Sequence, residues 1–188
     1  MSKCVGIIAE DKSDADVVSA VIQKLRPRKK WRFHIVAGGG CGRIKSKCLM
    51  WAQELYNKGC SHLVLVRDSD GGDPEAFRSG LEQKLISTAF SSRIIVIPVR
   101  TIEAWLLADE LAIQKLFELR KMPNSIAHPE NELDPKGKLE EIVHHFSGGA
   151  RIYVTTIHNA QLAKIARIKR LQRCKSYLPL ESYIDVNF

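Results

Sequence analysis

Three acidic side chains follow two apolar segments of the sequence, and their spacing suits metal-dependent chemistry. Glu10 comes directly after the run CVGIIA, and Asp68 and Asp70 come directly after the run LVLVR. Carboxylates that lie close together repel one another unless a cation lies between them. Mg²⁺ prefers oxygen ligands of this kind, usually together with water and the phosphate groups of a substrate. The three acids therefore predict a site for Mg²⁺ or Mn²⁺; the alternative is that the DSD segment forms only turns and helix caps.

The charge of the chain indicates a polyanionic ligand. Lys and Arg number 29 against 21 Asp and Glu, which gives 188 residues a formal net charge of +8. Such a surplus on a small domain is typical of nucleic-acid binding. Two basic segments supply the candidate contacts Lys29, Lys30, Arg167 and Arg170. The alternative is that both segments are solvated surfaces that keep the protein soluble.

A glycine-rich segment, GGGCGRIK at Gly38 to Lys45, precedes a predicted helix. Backbone N–H groups at the start of a helix, together with Arg43 and Lys45, are suited to binding a phosphate group. The segment matches neither GxxxxGK[ST] nor GxGxxG, the two standard nucleotide-binding patterns. Arg43 and Lys45 are therefore candidate contacts with the phosphates of a nucleic acid.

The cysteines and the hydropathy of the chain narrow its class. The cysteines are odd in number and form no CxxC pair, so they indicate neither a disulfide framework nor a zinc site. We expect small reduced residues in or near the core. No apolar run reaches the roughly 18 to 20 residues that a membrane span needs, and we expect a cytoplasmic protein. The cysteines are Cys4, Cys41, Cys48, Cys60 and Cys174.

Short apolar runs alternate with helical periods over the first hundred residues. The predicted strands are 4–9, 31–36, 62–66 and 93–99, and the predicted helices are 16–25, 44–56 and 74–85. Ser13 or Asp14 is the predicted cap of the first helix and Asp73 that of the third. Pro98 predicts that the fourth strand ends there or lies at an edge.

This alternation predicts an α/β fold with a mostly parallel sheet, right-handed crossovers and helices on both faces. Ligands of such sheets bind beyond the carboxyl ends of the strands. Glu10, Asp68 and Asp70 are therefore expected at one rim of the sheet.

The second half of the chain is predicted to be helical. The predicted helical segments are 101–117 with a break near Asp109, 136–146 and 159–173, with a loop over 122–135. We expect one domain over residues 1–188, with a core of about 1–108 and a helical C-terminal elaboration of about 109–188. Glu103, one turn beyond the fourth strand, is a candidate metal ligand or a helix cap. Lys136 is a candidate for stabilising the charge on a cleaved phosphate, or only begins a helix after Asp134 and Pro135.

The acidic segments resemble a known domain. EDKSD at Glu10 to Asp14, followed by DSD at Asp68 to Asp70, resembles the Toprim domain of topoisomerases, bacterial primases and overcoming-lysogenization-defect nucleases. The resemblance implies that Glu10 acts in acid/base chemistry or metal binding and that Asp68 and Asp70 hold Mg²⁺. The Toprim domain often has glycine directly after the glutamate, where this chain has Asp11.

Four longer segments are similar to a narrower group. AGGGCGRIKSK, LVLVRDSDG, IPVRTIEAWLLAD and ENELDPKGKLEEI resemble a small Toprim-like bacterial family that is often encoded beside an ABC-type ATPase. The resemblance spans about residues 5–142. It implies a metal-dependent nuclease effector of antiphage defence with an ATPase as partner, and it leaves open whether the substrate is DNA or RNA. Lys136 is a candidate catalytic residue because related nucleases use a lysine or a second metal ion at the cleaved phosphate.

Two other functions are compatible with the same residues. One is a receiver-like signalling domain that is phosphorylated on Asp68, with Glu10 and Asp11 as its other acids and Thr101 after the fourth strand. The other is a non-catalytic Toprim-like subunit that binds nucleic acid or regulates a partner. The presence of Glu10, Asp68 and Asp70 together favours the enzyme.

Overall fold

The central sheet has four parallel strands in the order β2-β1-β3-β4. A computed structural model of the chain describes residues 3–188, apart from the side chain of Cys41. The strands are β1 (Lys3–Ala9), β2 (Trp31–Ala37), β3 (His62–Val66) and β4 (Ser92–Val96). Every pairing between neighbours is parallel, which confirms the predicted sheet. The strand β4 lies at an edge and ends before Pro98, as the proline predicts.

Helices cover both faces of this sheet. The helices that connect the strands are α1 (Lys12–Leu25), α2 (Gly40–Asn57) and α3 (Pro74–Leu85). Because side chains alternate along a strand, Val5 and Ile7 of β1 pack in one apolar cluster with α1. Cys4 and Ile8 pack in the other cluster, with α2 and α3. The two clusters confirm the predicted α/β layers.

The C-terminal half is helical and shares the core of the sheet. Its helices are α4 (Glu103–Leu107), α5 (Glu110–Phe117), α6 (Pro135–Ser147), α7 (Thr155–Ile165), α8 (Ile168–Leu171) and α9 (Leu178–Asn187), with a 3-10 turn at Pro129–Asn131. Residues of α5, α6, α7 and α9 lie in the same cluster as α1. The predicted break near Asp109 is confirmed, since Asp109 caps α5.

One predicted helix, 159–173, is wrong. Helix α7 ends at Ile165, and Ala166 and Arg167 have extended ψ angles of 139° and 129°. The N–H of Arg167 donates to Asp109 Oδ2 at 2.7 Å, and its guanidinium binds the same carboxylate. A tertiary contact therefore interrupts a helical period that continues in the sequence. Helix α9 was not predicted.

The cysteines outside residue 41 behave as expected. Cys4, Cys48, Cys60 and Cys174 are buried and free, while the side chain of Cys41 lies outside the described residues. Within residues 3–188, no helix is long and apolar enough to cross a membrane.

Candidate metal centre

The carboxyl ends of β1 and β3 bring two predicted site segments together. The register pairs Ile8 with Leu65, so Glu10 and Arg67, two residues further along each chain, emerge at the same level. The Glu10 Oε1 and Arg67 Nε atoms are 3.6 Å apart. Glu10 therefore lies beside the DSD segment, as the sequence predicts.

The turn that carries Asp68 and Asp70 is held by the segment that follows β4. The Ser69 N–H donates to Pro98 O at 3.1 Å and the Asp70 N–H to Arg100 O at 3.0 Å, while the Arg100 N–H donates to Ser69 Oγ at 2.8 Å. Asp70 and Arg100 have φ angles of 47° and 62°, which residues with a side chain seldom adopt. Backbone strain of this kind persists where the surroundings enforce it and is common at functional sites. The two aspartates therefore extend from a rigid, strained turn.

The first turn of α1 adds an acid that the sequence did not single out. Asp11 caps α1, because its carboxylate accepts hydrogen bonds from the N–H groups of Ser13 at 2.7 Å and Asp14 at 3.2 Å. The carboxylate of Asp14 in turn accepts from the Asp11 N–H, which completes a capping box. The predicted cap, Ser13 or Asp14, is therefore wrong.

The position of Asp14 could have been found in the sequence. Asp14 is buried and lies on the same face of α1 as Val17, Val18 and Val21, at helical spacings of three, four and seven residues. An acid on the apolar face of the helix that follows Glu10 must point toward the sheet. The sequence pattern therefore indicates a buried acid at position 14 as well as a helix start.

Glu103 occupies the first position of α4 and is buried. Its Oε1 accepts a hydrogen bond of 3.0 Å from Asn159 Nδ2 on α7, and the buried Tyr153 hydroxyl donates to Asn159 Oδ1. Among the described residues no side chain caps α4, so the predicted alternative of a helix cap is not what Glu103 provides. A buried polar chain from Tyr153 through Asn159 instead fixes its carboxylate.

Burial and mutual repulsion raise the pKa values of three acids at the carboxyl ends of the strands, Glu10, Asp14 and Asp68. Burial is the largest cause for each, followed by the charges of neighbouring acids. The pKa of Glu10 is raised to about 7, although Arg67 lowers it, and that of Asp14 to about 8. The pKa of Asp68 is raised well above its ordinary value. The charges of Asp14, Glu103, Glu10 and Asp70 all act on Asp68, and we call these five residues the acidic centre.

The donor atoms of the acidic centre fit a hard divalent cation in their chemistry. Within residues 3–188, Glu10 Oε1 and Asp68 Oδ1 are buried and have no hydrogen-bond partner. Unpaired buried carboxylate oxygens are costly, and they are the ligands that Mg²⁺ prefers.

The arrangement of these side chains does not yet match a bound ion. In the described part of the chain, no group of three or more His, Cys, Asp or Glu residues is arranged to hold a metal ion. Glu10 faces Arg67, and Glu103 faces Asn159. Side-chain rotation, chiefly of Glu10, must therefore bring the oxygens together for a cation to bind.

Comparison with known proteins gives a family and no activity. A family model described as "Domain of unknown function (DUF4276)" matches residues 9–184. The chain belongs to this family. No curated protein and no solved structure matches the chain. The DUF4276 match includes the whole acidic centre, whose function must be argued from its geometry.

Two predicted basic contacts lie at the same edge as the acidic centre. Arg43 and Lys45 are exposed in the first turns of α2, which follows the segment Gly38 to Gly40. The Gly38 N–H donates to Glu10 O at 2.9 Å. The glycine segment is therefore directly beside the end of β1, where a phosphate bound by Arg43 or Lys45 would be near the acids.

Lys29 and Lys30 lie at the amino ends of the strands, whereas the acidic centre lies at their carboxyl ends. Both are exposed in the turn between α1 and β2, and the seven residues of β2 separate them from the acidic centre. At about 3.3 Å per residue this is roughly 20 Å. Lys29 and Lys30 are therefore too far away to contact a ligand bound at the acidic centre.

Arg167 and Arg170 form ion pairs with acids of the DUF4276 chain itself. Arg167 Nε donates to Asp109 Oδ2 at 3.0 Å, and Arg170 donates to Glu110 Oε1 at 2.8 Å. The two guanidinium groups therefore connect α8 to α5. The predicted contact of these arginines with nucleic acid stays a prediction, and their observed contacts are intramolecular.

Lys136 is exposed at the second position of α6. Pro135 begins this helix and Asp134 caps it through the Gly137 N–H at 2.9 Å, as the helix-start interpretation predicts. Lys136 also lines a cleft of about 270 Å³ with Glu140, Tyr153, Val154, Thr155 and Thr156. Tyr153 is linked through Asn159 to Glu103 by hydrogen bonds. These side chains therefore connect the cleft to the acidic centre.

Proposed function

We propose that the chain is a divalent-cation-dependent nuclease that hydrolyses phosphodiester bonds of DNA or RNA at the acidic centre. The observation that carries the proposal is the cluster of five acids at the carboxyl ends of the strands, two of which have a buried carboxylate oxygen without a hydrogen-bond partner in the described chain. A bound Mg²⁺ or Mn²⁺ supplies charge neutralisation at the phosphate and lowers the pKa of the attacking water.

The position of each acidic side chain suggests its role in this proposal. Asp68 and Asp70 provide ligand oxygens from the rigid turn, and Glu10 provides a further oxygen or accepts a proton, since its pKa of about 7 suits a general base at neutral pH. Asp14 and Glu103 complete the ligand set from α1 and α4.

The basic groups supply the electrostatic attraction of the substrate. A net charge of +8 concentrates a polyanion at the surface. In this proposal Arg43 and Lys45 bind phosphates next to the acidic centre, and Lys136 does so from its cleft. The resemblance to Toprim-like nucleases supports a role in antiphage defence together with an ABC-type ATPase.

A receiver-like phosphoacceptor at Asp68 is the second candidate. One observation favours it: Thr101 Oγ1 lies buried after β4 without a hydrogen-bond partner among the described residues. Beryllofluoride would form one stable adduct at Asp68 of a receiver, which mass spectrometry under native conditions detects.

The deciding experiment is a cleavage assay of the purified chain. Supercoiled DNA, single-stranded DNA and total tRNA are incubated with Mg²⁺, Mn²⁺ or EDTA, beside the variants Glu10→Ala and Asp68→Ala. Metal-dependent cutting that both variants lose establishes the nuclease and its substrate class. Metal binding without cutting indicates a non-catalytic subunit or a required partner, and cutting by a folded Asp68→Ala protein rejects the site.

A further inference from the structure

A small cavity opens beside the acidic centre between α2 and α3, with a volume of about 140 Å³. Two of its lining residues are cations, and the others are apolar or glycine. The lining residues are Lys45, Arg67, Ala76, Phe77, Gly80 and Leu81. The cavity therefore holds two cationic side chains, and one of them, Arg67, lies beside Glu10 of the acidic centre.

Arg67 is held in this cavity with a hydrogen-bonding group unused. Its guanidinium carbon lies 3.7 Å from the centre of the Phe77 ring, and only 12% of its side chain is exposed. Its Nε is buried and has no hydrogen-bond partner in the part of the chain that the structure describes. The nearest acid, Glu10, is 3.6 Å away, too far for a good hydrogen bond. A buried N–H donor without an acceptor is costly and calls for an explanation.

The Phe77 ring is fixed against the turn that carries the aspartates. A Cβ atom added at Gly72 would lie 2.6 Å from Phe77 Cζ and 3.1 Å from Ser69 O, so only glycine fits beneath the ring. The plane of Arg67 is consequently fixed relative to Asp68. The guanidinium is therefore positioned mainly by aromatic packing, and its ion-pair contact with Glu10 is long.

We propose that Arg67 and Lys45 form the phosphate-binding side of the acidic centre and that their ligand is the phosphate of a nucleic-acid strand. This inference rests on the proposed function and names residues that bind its substrate. A guanidinium offers a planar pair of donors that matches two phosphate oxygens, and an ammonium adds a compact charge.

Phosphate binding also explains how the acids can be rearranged. A phosphate that takes the donors of Arg67 replaces its long contact with Glu10. The freed Glu10 carboxylate can then rotate toward Asp68, which is the movement that the ligand set needs. Arg67 thus couples substrate binding to completion of the acidic centre.

The test is nucleic-acid binding in EDTA, where the cation makes no contribution. Fluorescence anisotropy of labelled single-stranded DNA and RNA is measured over a range of salt concentrations for the wild type, Arg67→Gln, Lys45→Ala and Phe77→Leu. Lys58→Ala is the matched control, because Lys58 is exposed beyond the other end of α2. Melting temperatures show that each variant is folded.

The expected result is a loss of about tenfold in affinity for Arg67→Gln and for Lys45→Ala, as for one charge-assisted hydrogen bond. The logarithm of the binding constant decreases linearly with the logarithm of the salt concentration. This negative slope should become less steep by about 0.7 in each variant, as for the loss of one phosphate contact on a single strand. Phe77→Leu should weaken binding less, and the double variant Arg67→Gln/Phe77→Leu should bind like Arg67→Gln alone. That non-additivity identifies Phe77 as a positioning residue.

Folded Arg67 and Lys45 variants that bind like Lys58→Ala overturn the inference, as does a wild type that binds neither DNA nor RNA. The proposed metal centre is judged separately, by calorimetric titration of Mn²⁺ into the wild type and Asp68→Asn. If the wild type binds Mn²⁺ but not nucleic acid, only the proposed phosphate site is rejected. If the wild type binds nucleic acid through Arg67 but does not bind Mn²⁺, only the proposed metal-dependent nuclease is rejected.

Discussion

The protein has two clusters of acidic side chains, and cationic partners balance the charges in only one of them. Asp109 and Glu110 form ion pairs with Arg167 and Arg170. Burial opposes ionisation of Asp109, but the hydrogen bonds and charge of Arg167 outweigh it and lower its pKa below the ordinary value. In the acidic centre, by contrast, burial and repulsion raise the pKa values of Glu10, Asp14 and Asp68. Within residues 3–188 its single ion-pair contact is that of Arg67 with Glu10.

This difference separates side chains that stabilise the fold from side chains that cost stability. The Asp109 carboxylate caps α5 and anchors the segment between α7 and α8. In the acidic centre Glu103 accepts one hydrogen bond from α7, but no cation pairs with Asp14, Asp68, Asp70 or Glu103 among the described residues, and the backbone at Asp70 is strained. Local conflicts of this kind in an otherwise consistent fold are expected at functional sites.

The largest predicted effect is on activity. Asp68→Asn keeps the shape of the side chain but removes a ligand charge, so cleavage with Mg²⁺ should fall by at least about 10²–10³-fold. The melting temperature should stay equal or rise, because one like charge is removed from the buried cluster. Cleavage assays and thermal melts measure both. Asp16→Asn, which changes an exposed pair with Lys12, is the control and should cleave normally; loss of fold in Asp68→Asn would contradict the assignment.

The paired group should show the reverse pattern. Asp109→Ala removes a helix cap and leaves the Arg167 N–H and guanidinium without their partner, which should cost about 3 kcal/mol of stability. For a chain of this length that is about 6–12 °C in melting temperature. Glu118→Ala breaks an exposed ion pair with Arg151 and should change stability by less than about 1 kcal/mol. If Asp109→Ala lowers stability no more than Glu118→Ala does, the ion pairs of Asp109 do not stabilise the fold and the contrast with the acidic centre is lost.

Local patterns made the sheet and part of the site predictable. The strand β3 and the helix α3 with its cap Asp73 have the predicted bounds, because their signals are contiguous apolar runs and an Asp-Pro start. The position of Asp68 and Asp70 beyond β3 follows from the same signals. Glu10 follows from the parallel order of the strands.

Contacts between distant segments were not predictable. The hydrogen bond from Asn159 to Glu103 joins residues 56 apart, and the pair of Arg167 with Asp109 joins residues 58 apart. The apolar spacing of α7 continues through the break at Ala166, so periodicity alone cannot reveal it. The break arises because Asp109 binds the backbone N–H of Arg167, and a single sequence does not state which acid meets which donor.

A third prediction concerns the buried side chain that orients Glu103. Asn159→Ala removes its hydrogen-bond donor, and loss of a partner that orients a ligand typically weakens metal binding by about 10–100-fold. Tyr153→Phe leaves Asn159 in place and should weaken binding by only a few-fold. Calorimetric titration with Mn²⁺ measures both affinities, and His158→Ala, on the same helix, controls for disturbance of α7. Unchanged affinity in a folded Asn159→Ala protein would exclude Glu103 from the ligand set.

The smallest effect is the pH dependence of stability without divalent cations. Asp14 has a folded pKa of about 8 against an ordinary value of 3.8, so the folded state retains a proton that the unfolded state has lost. Stability should therefore fall as the pH rises between these two values and level off above them. Asp14→Asn should be increasingly more stable than the wild type from pH 5 to pH 8, by several degrees in melting temperature.

Asp109 has a lowered pKa, so its contribution to the stability of the fold is complete above an ordinary pKa of about 4. That contribution is lost only as the pH falls below this value. The difference between the wild type and Asp109→Asn should thus stay constant over pH 5–8. If the difference in melting temperature between the wild type and Asp14→Asn also stays constant over pH 5–8, Asp14 is ionised throughout this range. The two groups of acids then do not differ in the way the structure indicates.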